Sequence, residues 1–197
     1  MFENIIKNVH NRHPLIHCIT NYVSINDCAN IVLACGGAPI MAEDINEVSQ
    51  ITSICQGLDI NIGMLNDNKL SSMLKAGATA NELGIPVILD PVGAGSSDYR
   101  IKAVQNLMSN VQFGVIRGNV SEIKAIAAKQ GIHNIAAGVY ETMQKNKSAM
   151  GVEAGIADKI TDDNIKEMAD FINKLSQKTG AVIAVTGGID MVADENR

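Results

Sequence analysis

The chain contains no tryptophan, and aromatic residues make up only 3% of its 197 residues. This scarcity argues against a base-stacking surface for single-stranded nucleic acid. The 16 lysine and arginine residues are outnumbered by 21 aspartate and glutamate residues, which gives a net charge of −5. The basic footprint that nucleic-acid binding requires is therefore missing. We expect no nucleic-acid partner.

Long apolar runs are also absent, and none approaches the roughly 20 residues of a membrane-spanning helix. The N-terminus lacks the basic and then apolar pattern of a secretion signal. Four cysteines are present (Cys18, Cys28, Cys35 and Cys55), but they form no Cys-x-x-Cys pair and lie in apolar or helical contexts. This pattern favours reduced thiols over a disulfide or metal framework. We therefore expect a cytoplasmic protein without a membrane partner.

The hydrophobic patterning predicts a single α/β domain over residues 1–197. Apolar segments alternate with segments of helical periodicity, which favours right-handed β-α-β crossovers and a parallel sheet with helices on both faces. The predicted strands are 15–19, 38–41, 58–62, 86–89, 111–116 and 181–185, with an antiparallel partner at 189–192. The predicted helices are 2–12, 24–35, 43–57, 66–83, 98–108, 120–129, 135–144 and 162–178, with a mobile loop near 148–158. The helix at Ser24 begins with a pattern like a capping box.

Residues 85–97 are the most informative stretch. An apolar strand, expected to be buried on both faces, ends on Asp90, and the flexible turn Gly93-Ala94-Gly95 follows. A carboxylate beside a glycine loop, whose N–H groups can approach a ligand, suggests a phosphate and metal site. An ordinary strand-to-helix turn, with Asp as a turn former, explains the same residues.

Polar residues and glycines collect where the predicted strands end, and open parallel sheets bind ligands at that edge. These strand ends are Asn21, Met41, Asn61–Gly63, Asp90–Gly95, Arg117–Asn119 and Thr186–Gly188. No Gly-x-x-x-x-Gly-Lys-Ser/Thr sequence occurs, which excludes a P-loop enzyme. The pattern predicts a ligand site at one edge of the sheet.

The segment from Arg117 to Glu122 has two interpretations. Asn119 and Glu122 have the spacing of a capping box, which requires no ligand. Alternatively, Glu122 lies in the first turn of a helix whose positive end favours phosphate. Asp90 and Glu122 would both be anionic at pH 7 and would repel a polyphosphate by about 4 kcal/mol per unit pair at 4 Å and an effective dielectric of 20. A Mg²⁺ ion between carboxylates and phosphates removes this repulsion, and Arg117 would bind the phosphates directly.

Five segments together resemble the hydroxyethylthiazole kinases, thiamin-salvage members of the ribokinase-like superfamily: 14–23, 37–44, 61–66, 89–95 and 115–122. The resemblance runs nearly from end to end and is weakest over residues 132–160. It implies a three-layer α/β/α fold with a mostly parallel central sheet. It also implies ATP-dependent phosphorylation of the primary alcohol of 4-methyl-5-(2-hydroxyethyl)thiazole, Mg²⁺ as cofactor, and a homotrimer with active sites at subunit interfaces.

The resemblance also implies roles for individual residues. Met41 and Asn21 would bind the thiazole. Arg117, Thr186 and Asn119 would bind ATP, and Asp90 and Glu122 would bind magnesium. Methionine is a soft and adaptable wall for a sulfur heteroaromatic ring. Plain core packing is the alternative explanation of Met41.

One feature of the family has no counterpart in this sequence. In the family, a C-terminal segment carries a Gly-Thr-Gly-Cys-type turn at a helix N-terminus, which holds the base toward the substrate hydroxyl. This sequence stops at Arg197 without that turn, and none of its four cysteines has the matching context. We therefore expect no catalytic residue in these 197 residues and impaired phosphoryl transfer, because that reaction depends chiefly on positioning and charge stabilisation.

Two other functions remain open. The chain could be another small-alcohol kinase of the same superfamily or an ADP-dependent dehydratase of hydrated NAD(P)H. The absent turn also motivates a non-catalytic thiazole-binding or assembly module.

Overall fold

A computed structural model describes residues 2–132 and 160–196. Within these residues, seven strands form one sheet in the order β2-β1-β3-β4-β5-β6-β7. The strands are β1 (Leu15–Ile19), β2 (Ala38–Ile40), β3 (Gly57–Asn61), β4 (Val87–Asp90), β5 (Val115–Asn119), β6 (Val182–Thr186) and β7 (Met191–Ala193). The described helices are α1 (Phe2–Arg12), α2 (Ile25–Ala34), α3 (Val48–Ser53), α4 (Asp67–Glu82), α5 (Asp98–Asn110), α6 (Val120–Lys129) and α7 (Ile165–Thr179).

The predicted α/β class with a mostly parallel sheet is confirmed. The predicted helix at 135–144 and loop near 148–158 lie outside the described residues. Among the residues described, none of the helices has the length and apolar character that crossing a bilayer requires. Contacts divide the chain into two compact units, Met1–Ile88 with Asn110–Gln112, and Leu89–Ser109 with Phe113–Arg197. A single domain over residues 1–197 stays a prediction.

In the first unit, β1 pairs in parallel with both β2 and β3. Three consecutive residues of β1, His17, Cys18 and Ile19, are buried. Because successive side chains of a strand point to opposite faces, burial of neighbours means that both faces of β1 are covered. The core of this unit is therefore built around β1.

In the second unit, β5 pairs in parallel with β6, and β6 pairs antiparallel with β7, which confirms the predicted partner strand. The register places Asn119 beside Thr186. This pairing extends β5 to Asn119, so Arg117 belongs to the strand, whereas the sequence placed it after the strand. Helix α7 packs Met168, Phe171, Ile172 and Leu175 inward, whereas Ile165 in its first turn is 38% exposed.

Two local predictions are wrong. Val87 and Leu89 of β4 are buried, but Ile88 between them is 41% exposed, so only one face of this strand is fully covered. Ser24 makes no side-chain capping bond to α2. Its hydroxyl donates to Oδ1 of Asn21 at 3.1 Å, an acceptor three residues upstream.

The predicted capping box at the start of α6 is confirmed. Oδ1 of Asn119 accepts a hydrogen bond from the Glu122 backbone N–H at 2.9 Å, and Oε2 of Glu122 accepts one from the Asn119 backbone N–H at 2.8 Å. Two of the backbone donors that a helix start leaves unsatisfied thereby gain partners. The α6 start is fixed by its own side chains.

Replacing Asn119 with alanine removes one of these bonds, so we expect Asn119→Ala to lower the free energy of unfolding by about 1 kcal/mol in urea titrations. Asn119→Ser is the matched control, because serine also caps helices well, and it should recover most of the loss. Equal stabilities of the alanine and serine variants would show that the cap contributes nothing.

A buried histidine joins β1 to α3. His17 is 0% exposed; its Nε2 lies 2.8 Å from the Ala42 carbonyl oxygen and its Nδ1 lies 2.9 Å from the Thr52 hydroxyl. Since a carbonyl only accepts, Nε2 donates to Ala42. The single proton of the Thr52 hydroxyl lies between two acceptors, Nδ1 of His17 and the Val48 carbonyl oxygen at 2.7 Å. Burial lowers the pKa of His17, and this effect exceeds the opposing influence of the Ala42 carbonyl and of Glu47.

Because the folded pKa of His17 lies below its unperturbed value, the unfolded chain binds more protons between these two values. We therefore expect the unfolding free energy to fall as the pH is lowered from about 6.5 toward the folded pKa. His17→Gln should be less stable at neutral pH but should lose less stability over that window. Denaturant titrations at a series of pH values measure both slopes, and identical slopes would contradict the prediction.

Candidate functional site

In the second unit, Asp90 ends β4 and begins a tight loop, here named the Asp90 loop (residues 90–97). Gly93 has a φ of +66°, a conformation that favours glycine. Its backbone N–H donates to Oε1 of Glu122 at 2.9 Å. Arg100 donates from Nη1 to the Val92 carbonyl oxygen at 2.9 Å. The loop is therefore held by one carboxylate and one guanidinium.

Glu122 is the side chain that connects the parts of this region. Only 7% of the residue is exposed, and each carboxylate oxygen accepts a backbone N–H, one from Gly93 and one from Asn119. A Cβ atom on Gly118 would lie 3.0 Å from Oε2 of Glu122, so glycine at 118 makes room for the carboxylate. The Asp90 loop, the end of β5 and the start of α6 thus meet on one side chain.

Arg117 and Asp90 form an ion pair of a different kind. Nη1 of Arg117 lies 3.4 Å from Oδ2 of Asp90, and the two side chains are 51% and 20% exposed. Exposed pairs of this length contribute between about 0 and 1 kcal/mol. The guanidinium can therefore exchange this carboxylate for another anion at little cost in stability.

Thr186 completes the group. It ends β6 beside Asn119, and its hydroxyl lies 3.5 Å from the Gly118 carbonyl oxygen. The structure thus brings together five predicted site residues at the carboxyl ends of β4, β5 and β6: Asp90, Arg117, Asn119, Glu122 and Thr186. Their positions agree with the prediction, and their roles stay predictions.

The carboxylates of this region can be compared with the ligands that magnesium prefers. The described residues contain no group of three or more His, Cys, Asp or Glu side chains that could hold a metal. Magnesium does not need one, because it commonly takes one or two carboxylates and completes its shell with waters and phosphate oxygens. Asp90 and Glu122 supply two carboxylates at one loop, so the donor set fits a phosphate-bound Mg²⁺.

In the first unit, Asn21 follows β1 and is held by its neighbours. Its Oδ1 accepts from the Ser24 backbone N–H at 3.0 Å and from the Ser24 hydroxyl, while its Nδ2 donates to Oδ1 of Asn61 at 3.3 Å. Oδ1 of Asn61 also accepts from the Gly63 backbone N–H at 2.8 Å. A Cβ atom on Gly63 would lie 2.9 Å from that oxygen. The ends of β1 and β3 are therefore joined through paired amides.

Met41 follows the last residue of β2 and is half-buried, so its side chain is partly accessible.

The sequence analysis did not identify a buried cation at this edge of the first unit. Lys69, the third residue of α4, places its ammonium against the residues that follow β1 and β2. No pattern in the sequence could identify it, because a lysine in the first turn of a helix is usually solvated.

Comparisons with known proteins give a consistent result. The model of the hydroxyethylthiazole kinase family matches residues 6–197. The chain is 52% identical to hydroxyethylthiazole kinase of Clostridium acetobutylicum over 197 residues, which are 100% of this chain and 66% of that relative. It is 44% identical to hydroxyethylthiazole kinase of Methanobrevibacter smithii over 190 residues, which are 96% of this chain and 63% of that relative.

The solved structure of a hydroxyethylthiazole kinase protein from Pyrococcus horikoshii OT3 superimposes with a TM-score of 0.79 at 31% identity, covering 98% of this chain and 63% of that one. The chain therefore spans slightly less than two thirds of the length of these relatives. The match nevertheless includes nearly every residue of this chain and agrees with the sheet described above. The chain belongs to the hydroxyethylthiazole kinase family.

Proposed function

We propose that this chain forms the thiazole- and nucleotide-binding part of a kinase that transfers the γ-phosphoryl group of ATP to the primary hydroxyl of 4-methyl-5-(2-hydroxyethyl)thiazole, in thiamin salvage. The observation that carries the proposal is the meeting of Asp90, Arg117 and Glu122 at the ends of neighbouring strands. The names of the relatives supply the substrate. Family membership and local geometry thus support the same chemistry.

The second unit would bind the nucleotide. Arg117 would form charge-assisted hydrogen bonds to phosphate oxygens, and the α6 N-terminus, which Asn119 caps, favours negative charge. Thr186 would offer a hydroxyl beside Asn119. Asp90 and Glu122 would supply the carboxylates that hold a magnesium ion. A bound Mg²⁺ would offset the charge on the phosphoryl oxygens.

The first unit would bind the thiazole alcohol. Met41 would contact the ring, since a thioether adapts well to a sulfur heteroaromatic surface. Asn21 would mainly hold the segment after β1 in place beside the substrate, because its amide oxygen already accepts two hydrogen bonds. Neither residue is proposed as the base that receives the hydroxyl proton. Met41 and Asn21 would bind and orient the substrate.

The four cysteines support a cytoplasmic location, which we also infer. All four are free thiols. Burial, reinforced by the Asp59 carboxylate, raises the pKa of Cys18 to about 12, and burial also raises the pKa of Cys55. Thiols of this kind are unreactive, and reduced thiols persist in a reducing compartment.

Calorimetry with the thiazole alcohol and with a non-hydrolysable Mg²⁺–ATP analogue tests the proposal directly. We expect wild-type protein to bind both ligands, and Arg117→Gln to weaken the nucleotide about tenfold while leaving thiazole affinity unchanged, because one charge-assisted bond is lost. Lys102→Gln, which removes an exposed positive charge from α5, is the matched control and should leave both affinities unchanged.

Absence of thiazole binding by the wild-type protein would overturn the proposed substrate. A different small alcohol or a hydrated nicotinamide nucleotide that raises the melting temperature would then identify the rival enzyme. Binding of both ligands, with no ADP release when the protein is mixed with the thiazole alcohol and hydrolysable Mg²⁺–ATP, would favour the non-catalytic thiazole-binding module.

We also propose that the chain assembles as a homotrimer. None of the ten residues of α2, all within the described part of the chain, is buried. Val23, Ile31 and Leu33 on and beside this helix are 89%, 61% and 56% exposed. Exposed apolar side chains on an unburied helix are typical of a surface that a second copy of the chain covers.

Light scattering on a sizing column should give a mass near three times 20.9 kDa for the wild-type protein. Ile31→Asp should shift the mass toward that of the monomer, because a charge at a buried interface is desolvated without a partner. A monomeric wild type at micromolar concentration would end the trimer proposal.

A further inference from the structure

Lys69 has an environment that is unusual for a lysine. Its side chain is 3% exposed, and its Nζ donates to the Thr20 carbonyl oxygen at 2.5 Å. The same ammonium pairs with Oε2 of Glu43 at 2.8 Å and lies 4.3 Å from the centroid of the Tyr22 ring. The Tyr22 hydroxyl donates to the other oxygen of Glu43. The ammonium thus has protein partners on several sides.

Stability alone does not explain this arrangement. Lys69 is the third residue of α4, and the positive end of a helix dipole disfavours a cation there. Removing an ammonium from water is also costly, and apolar side chains of similar volume often serve a folded protein equally well. Local rules of this kind are usually broken where a protein binds or reacts. A role beyond folding is indicated.

The position of the ammonium suggests that role. Thr20 directly precedes Asn21 at the end of β1, and Glu43 follows Met41 by two residues after β2. Lys69 therefore connects the two segments that carry the proposed thiazole-binding residues. Burial alone would raise the pKa of Glu43, but hydrogen bonds from Lys69 and Tyr22 outweigh burial and lower it, so the carboxylate stays ionised at neutral pH.

We propose that Lys69 is a positioning residue for the thiazole alcohol, which holds the segment after β1 (residues 20–24) and the segment after β2 (residues 41–43) at a fixed separation. The inference rests on the proposed function. Because Lys69 and Glu43 form an ion pair, the two together add no net charge beside the uncharged alcohol. The ammonium acts through these segments and does not contact the substrate.

Lys75 on the same helix provides a matched control. Its Nζ also donates to a backbone carbonyl after β2, that of Ile45 at 2.8 Å, but Lys75 is exposed and has no contact with β1 or Glu43 among the bonds described. Lys69→Met and Lys75→Met therefore remove the same group from the same helix. Only the first removes the connection between the two segments.

Calorimetry with 4-methyl-5-(2-hydroxyethyl)thiazole and with the Mg²⁺–ATP analogue distinguishes positioning from general destabilisation. We expect Lys69→Met to raise the thiazole Kd at least tenfold with nucleotide Kd unchanged, and Lys75→Met to change neither. Adding Glu43→Gln to Lys69→Met should cause no further loss, because the coupled pair is already broken. An unchanged thiazole Kd in Lys69→Met would overturn the proposal.

Glu43→Gln alone is the second variant if Lys69→Met does not fold, and it should raise the thiazole Kd in the same direction; an unchanged Kd there would also overturn the proposal. If the wild-type protein binds no thiazole, the proposed function fails separately, and amide hydrogen exchange then decides the positioning role. Faster exchange in residues 20–24 of Lys69→Met, but not of Lys75→Met, would support that role. Equal exchange in both variants would refute it.

Discussion

The buried carboxylate of Glu122 is the constraint on which the second unit depends. A charge that is only 7% exposed is costly unless hydrogen bonds compensate it, and here two backbone N–H groups do so. One of these donors starts α6 and the other belongs to Gly93 in the Asp90 loop. The capping-box and ligand-site interpretations of Glu122 are therefore compatible. One oxygen of the Glu122 carboxylate caps the helix, and the other fixes the Asp90 loop through Gly93.

Much of the fold could be predicted from the sequence because its signals are local. The alternation of apolar and helical segments located every described strand to within a few residues of its observed position. The Asn119–Glu122 spacing predicted the pair of capping hydrogen bonds that the structure contains. The convergence of Asp90 and Arg117 followed from one rule, that the ends of parallel strands share an edge.

The errors arise from pairings and packing that a local sequence pattern does not encode. The end of β5 is set by its pairing with β6, which no local pattern encodes. Ser24 could cap α2, but its side chain is turned toward the Asn21 amide oxygen, to which its hydroxyl donates. Exposure of Ile88 depends on what covers one sheet face, and composition cannot show this. Lys69 is evident only when its partner at Thr20, 49 residues away, is known.

Two cations, Arg117 in the second unit and Lys69 in the first, differ in how fully their charges are paired. In the second, the guanidinium of Arg117 is half exposed and weakly paired, so an incoming anion can displace its carboxylate partner. In the first, the ammonium of Lys69 is buried against a carbonyl, a carboxylate and an aromatic ring, so it has little capacity left for a ligand. A polyphosphate requires charges that can be redirected.

A neutral heteroaromatic alcohol instead requires a wall of fixed shape, with its charges already satisfied. A small apolar ligand also binds best to a preformed surface, because it makes too few contacts to compensate for a rearrangement of the protein on binding. The difference in charge exposure between Arg117 and Lys69 therefore follows the difference in chemistry between the two proposed ligands. This contrast supports the proposal that the second unit binds the nucleotide and the first unit binds the alcohol.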